Sequence, residues 1–253
     1  GLISMSEFCM VCVTRNGSYY PMEYMCRVFN LVEGNEWFGR NKKADLTRKD
    51  ILKTTKVDID FYVNEDLLTD QDIEDRLHHL DNFPIPYLVK AMPPQFTNTV
   101  ESVNLLYEDK IKIAQKILDR FKLVWFTNED KVSHFCYELT CMRCSTKGYP
   151  RPREYGTYDL DKRVTPPASS FTASLRDFNK FVAREEFTNK VMEKYNVPII
   201  TYKDFVNDQD KEMKKIADYY NLRPIVVGKI PIIPNPDYTN IFTNYEEIVS
   251  WFH

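Results

Sequence analysis

Apolar residues along this chain occur in two patterns, short unbroken runs and longer stretches in which they recur every third or fourth position. A short run rich in Val, Ile and aromatics and bounded by polar residues reads as a strand buried on both faces, and the longer spacing reads as an amphipathic helix. The runs at 8–14, 87–92, 122–127 and 197–202 predict strands. Helical spacing covers 19–31 through Met22, Met25, Cys26 and Phe29, and 66–80 through Leu67, Leu68, Ile73, Leu77 and Leu80. It recurs over 103–121 through Leu106, Ile113, Ile117 and Leu118, and over 173–195 through Leu175, Phe178, Val182, Val191 and Met192. Further helices are predicted from Asn128 to about 147, over 211–221, and from Tyr245 with Asn244 as its cap and Glu247 at the capping-box position. Thr69 reads as an internal cap, Thr127 with Asp130 as the cap after the 122–127 strand, and His78 with His79 as the exposed end of a helix.

Strands alternating with long helices predict an α/β fold with a central parallel sheet flanked by helices and joined by right-handed crossovers. The expectation is a single domain over 5–253. Residues 33–40 read as a loop, 42–56 as a charged surface helix or loop, and 148–171 as a long Pro-, Arg- and Tyr-rich connection. In a compact domain such a connection is usually a lid or binding segment, and Arg151, Arg153 and Arg163 lie in it.

One junction carries candidate chemistry. Between the 8–14 strand and the helix after it, Arg15, Asn16 and Gly17 break the apolar pattern. The free N–H groups and positive dipole end of a helix start favour an anion, and Gly17 lets the backbone approach it closely. Arg15 adds a forked cation. The alternative is an ordinary strand-to-helix turn with a surface Arg. Glu36, set beside Trp37 and Phe38, is a candidate general base if it is partly buried, or else a solvated loop carboxylate. His134 is the fallback base.

Charge changes the picture by exclusion. The 34 Lys and Arg against 37 Asp and Glu leave a net charge of −3, and a pI near 5.9 gives no overall attraction to nucleic acid or an acidic membrane. No apolar run approaches the roughly 18 residues of a membrane span. Six cysteines in 253 residues do not make a disulfide scaffold. Cys9 with Cys12 and Cys141 with Cys144 have zinc-clip spacing, but residues three apart in a strand face opposite ways, so reduced core thiols in a cytoplasmic protein are expected, with no metal.

The strand-to-helix junction lacks the nucleotide triphosphatase signature, since no Gly-Lys-Ser/Thr follows Gly17. It resembles the donor loop of bacterial-type sulfotransferases, Thr-Pro-Arg-Ser-Gly-Ser-Thr: Thr14, Arg15, Gly17 and Ser18 match, with Asn16 for the first Ser and Tyr19 for Thr. Glu36 resembles the carboxylate of the family's Gly-x-Pro-x-Glu-x-Phe segment, with Asn35 in place of proline. Lys90 resembles the lysine of its Gly-Val-Lys strand, and YKDF from Tyr202 its Tyr-Glu-Asp-Leu. The stretch after 122–127 resembles the family's 3′-phosphate motif at Asp130, Lys131 and Val132, but Asn128 and Glu129 replace its arginines and Tyr137 its serine.

The resemblance implies a P-loop NTPase-like sulfotransferase architecture and sulfuryl transfer from 3′-phosphoadenosine 5′-phosphosulfate (PAPS) to a small-molecule or glycan hydroxyl. Glu36 would be the base, and Arg15 and the loop amides would hold the sulfuryl and 5′-phosphate oxygens. Sulfuryl carries less charge than a terminal phosphoryl group, so amides and one Arg would serve without magnesium. Thr14, Asn16, Gly17, Ser18, Tyr19, Asn128, Lys131, Ser133 and Tyr137 would line the donor site. A 3′-phosphate would take its cation from Lys131 or from the arginines of 148–171. A small-molecule or nucleotide kinase and a non-enzymatic nucleotide- or partner-binding descendant stay open, as does assembly of identical chains.

Overall fold

A computed structural model of the chain describes residues 7–13, 17–39, 67–147 and 166–253. The predicted elements at 42–56, the connection over 148–165, and Thr14, Arg15 and Asn16 lie outside them.

The 8–14 run becomes β1 (Glu7–Val11), and its alternation sorts the core. Phe8, Met10 and Cys12 enter one apolar cluster, while Cys9 and Val11 enter another. Cys9 and Cys12 therefore lie on opposite faces of the sheet. Beside β1 run β2 (Val32–Asn35), β3 (Tyr87–Ala91), β4 (Lys122–Thr127) and β5 (Ile199–Thr201), in the order β2-β3-β1-β4-β5. Every pairing is parallel, with Met10 opposite Lys90 and Val124, and Thr127 opposite Thr201.

On the Phe8 and Met10 face lie α1 (Tyr19–Phe29), with Met22, Met25 and Cys26 inward, and, further along the chain, Phe205, Met213 and Ile216. The Cys9 and Val11 face is covered by α2 (Asp70–Asp81) through Ile73, Leu77 and Leu80, and after the short α3 (Pro94–Thr97) by α4 (Tyr107–Leu118) through Ile111, Ala114 and Leu118. Beyond β4, α5 (Lys131–Lys147) and α6 (Leu175–Met192) meet; Phe135 and Phe181 join a third cluster with α9 (Tyr238–Ile241) and α10 (Tyr245–Trp251). Between these come α7 (Tyr202–Asn207) and α8 (Gln209–Tyr220). No described helix is long and apolar enough to cross a membrane.

Caps account for most helix boundaries. Asn30 adopts the left-handed conformation at φ 53° and ends α1. Thr69 caps the start of α2 instead of lying inside it, through a capping box with Asp72 at 3.1 and 2.7 Å. Asp130, not Thr127, caps α5, accepting the Ser133 amide at 3.0 Å. Helix α4 begins at Tyr107, because residues from Thr99 onward are drawn into turns anchored on Asp70. YKDF opens α7 and is not strand, since Thr201 caps it by accepting the Asp204 amide. Asn244 ties Ala173 in place and donates to Glu247 without capping the α10 backbone.

The expected loop at 33–40 begins as edge strand β2, which pairs Val32 and Glu33 with Tyr87 and Leu88. Its Val-Glu-Gly-Asn sequence has no apolar alternation, so pairing with β3 decides its conformation. Gly34 permits the approach: a Cβ there would lie 2.7 Å from Val89 Cγ1 and 3.3 Å from the Leu88 carbonyl oxygen. Val89 is buried and stiff at χ1 and cannot swing aside. Gly34→Ala should therefore destabilise the protein by about 1–3 kcal/mol in urea unfolding, as overpacking does; an unchanged midpoint would show that β2 yields freely.

Candidate functional site

Parallel strands present their C-terminal ends to one edge of the sheet, the edge where open α/β sheets bind ligands. At that edge β1 ends at Val11, and the Cys12 amide donates to the Ala91 carbonyl at 3.1 Å. The chain re-enters the described residues at Gly17, with φ at +91°, and Ser18 begins α1. Ser18 gives the helix no side-chain cap; its hydroxyl bonds the Cys12 thiol instead. Pro21 in the first turn removes a donor that the helix could not have satisfied internally. Gly17, Ser18 and Tyr19 are thus brought together at an N-terminus of the kind that holds anions.

Two buried charged side chains lie at the same edge. Lys90 shares the face of Leu88, the α1 side of the sheet, and is 9% exposed; Glu36, just past β2, is 8% exposed. Cys12 senses both. Burial pushes its thiol above the usual range, with Glu36 adding to the rise and Lys90 and Ser18 opposing it. Glu36 is therefore a buried carboxylate and not a solvated loop residue.

Arg76, which the sequence reading passed over, holds the residues just after Glu36. Its side chain is 1% exposed on the inner face of α2 and donates from Nη1 to the carbonyls of Trp37 and Gly39 at 3.2 and 2.7 Å. Trp37 Nε1 returns a bond to the Arg76 carbonyl at 3.1 Å. Burial pulls the guanidinium down to about 10, with Asp72 opposing the drop, so it remains charged at neutral pH. The signal was available: Arg76 interrupts the apolar stripe of Ile73, Leu77 and Leu80.

The β4 end is organised differently. Asn128, 7% exposed, accepts the Asp130 amide through Oδ1 at 3.1 Å, while Glu129 faces solvent. Lys131 is paired with Glu185 of α6 at 2.6 Å, and Glu185 also lies 3.4 Å from Nδ1 of His134. His134 is buried against the Phe181 ring, which places the fallback base between α5 and α6 and away from Glu36. Burial alone would raise the Glu185 carboxyl, but His134 and Lys131 together more than offset it and hold it below its ordinary value. Ser133 is half-buried in the first turn of α5 and Tyr137 is buried one turn further on. Among the described residues no group of three His, Cys, Asp or Glu is placed to hold a metal ion.

No protein-family model and no curated protein sequence matches the chain. Among solved structures it is similar to one titled as a sulfotransferase from Alicyclobacillus acidocaldarius, at 11% identity and a TM-score of 0.46, over 99% of this chain and 92% of that one. The chemistry of this chain therefore rests on its own residues.

Replacing Arg76 by Leu leaves two buried carbonyls without their donor. Urea unfolding should show a loss of about 1.5–3 kcal/mol, the range for a bond to a charged group, together with faster amide exchange over 36–39. A second prediction concerns acid. A carboxyl held below its unfolded value stabilises the fold above that value and ceases to as pH falls through the folded one. The stability difference between wild type and Glu185→Gln should thus be largest at neutral pH and shrink below the ordinary glutamate value of 4.5. Urea midpoints at pH 7, 5 and 4 measure it, and a difference independent of pH would assign Glu185 no charge-based role.

Proposed function

We propose that this chain is a sulfotransferase-like enzyme that moves a sulfuryl group from PAPS to an acceptor hydroxyl, acting as one domain over 5–253. The observation that carries the reading is that Glu36 and Lys90 are both buried at the strand-end edge of the sheet where Gly17 and Ser18 lead into α1. A left-handed glycine followed by a helix start without a side-chain cap fits an anionic donor. The donor supplies an activated sulfuryl group. Arg15 and the amides from Asn16 to Tyr19 bind its anionic oxygens, Thr14 borders the turn, and Lys90 adds positive charge at the floor. Glu36 takes the proton of the acceptor hydroxyl, a small-molecule or glycan alcohol. The six free, buried cysteines suit a reducing, cytoplasmic setting.

Recognition of a 3′-phosphate falls to the Asn128, Lys131, Ser133 and Tyr137 region. Lys131 is already paired with Glu185 there, so the cation would come from Arg151, Arg153 or Arg163. Glu129 avoids the like-charge cost by facing solvent; at ~4 Å and an effective dielectric of ~20 that cost would be about 4 kcal/mol.

Two substitutions separate binding from chemistry. Arg15→Ala should weaken adenosine 3′,5′-bisphosphate by about 1.5–3 kcal/mol in calorimetry. Glu36→Gln should leave that affinity intact while lowering sulfuryl transfer by about 10²-fold or more. Unchanged affinity in the first variant, or full turnover in the second, rejects the assignment.

A further inference from the structure

We propose that Tyr202 is a positioning residue for the anion-binding turn, its ring bracing Gly17 from the far side of β4. A Cβ built on Gly17 would lie 2.7 Å from Tyr202 Cδ2 and 2.8 Å from Cε2, against 3.9 Å from Cγ. The ring thus meets the Gly17 backbone edge-on, closer than any side chain at position 17 would allow. Gly17 is required twice over, by this contact and by its φ of +91°.

The brace is itself anchored. Tyr202 opens α7 directly after β5; Thr201 pairs with Thr127 in the ladder and accepts the Asp204 amide at 3.1 Å. Phe205, one turn on, is fully buried, and Tyr202 packs against the same apolar cluster. In the strand order β4 separates β1 from β5. The contact therefore joins chain segments two inter-strand steps of about 4.8 Å apart. A glycine left to itself samples both signs of φ, and that freedom must be given up when an anion binds. A ring fixed by two secondary elements removes the freedom beforehand. The effect on the donor rests on the sulfuryl-transfer reading; the brace does not.

The test uses Tyr202→Ala, Tyr202→Leu and Tyr202→Phe in the full chain, reading amide hydrogen exchange at residues 17–20 alongside calorimetry with adenosine 3′,5′-bisphosphate. Ala and Leu should speed exchange there roughly tenfold and weaken the bisphosphate roughly tenfold, raising the KM for the donor with little change in kcat. Phe, which keeps the ring, should restore both. Gly17→Ala should also do less harm on the Tyr202→Ala background than on wild type, because the ring clash is gone. Leu keeps apolar bulk; a folded Tyr202→Leu with wild-type exchange at 17–20 overturns the brace, as does Phe behaving like Ala. If exchange responds as described but wild type does not bind the bisphosphate, the brace stands and the donor assignment falls.

Discussion

A strand buried on both faces has no room for polar side chains except at its ends, and β1 is such a strand. From Phe8 to Cys12 each residue is sealed from solvent, alternating between the cluster under α1 and the cluster under α2 and α4. Parallel neighbours on either side then force the same polarity on β3 and β4. Polar chemistry near the centre of the sheet is confined to the edge where these strands end, and Ser18, Glu36, Lys90 and Asn128 are all found there, each buried.

Burial makes each of these groups costly unless it is held, and the holding contacts come from separate parts of the chain. The Glu36 segment is clamped by Arg76 from α2. Cys12 and Ser18 bond each other across the turn. Between α5 and α6, Glu185 joins Lys131 and His134, and Glu138 pairs with Arg184. Behind α1, Gln209 makes a reciprocal pair with the backbone of Ile230 at 2.8 and 3.0 Å, and the Tyr20 hydroxyl accepts the Ile233 amide at 3.0 Å. The segment after α8 thereby follows α1 from Val28, whose carbonyl accepts the Ile225 amide, back to its first turn. The position of α1, and so of the turn at its start, is set from both sides.

Much of this was open to reading residue by residue. The strands β1, β3 and β4 form where apolar, β-branched and aromatic residues crowd together, a local property. Gly17 followed by a helical stripe marked the turn, while Glu36 between a small residue and two aromatics read as either a partly buried or a solvated carboxylate until burial decided it. Arg76 could have been noticed as a cation inside an apolar stripe, although nothing local named its partners.

Chain order and side-chain type by themselves determined the α/β class and the passage from a buried strand to an amphipathic helix, since each depends on periodicity or on neighbours a few positions away. Only the tertiary structure decided that Val32–Asn35 is a strand, that Lys131 answers to Glu185, that His134 lies between helices, and that Tyr202 meets Gly17. These pairings join residues tens to nearly two hundred positions apart. No local pattern encodes them, because they arise when the sheet order places strands distant in sequence side by side and burial then selects which polar groups must meet.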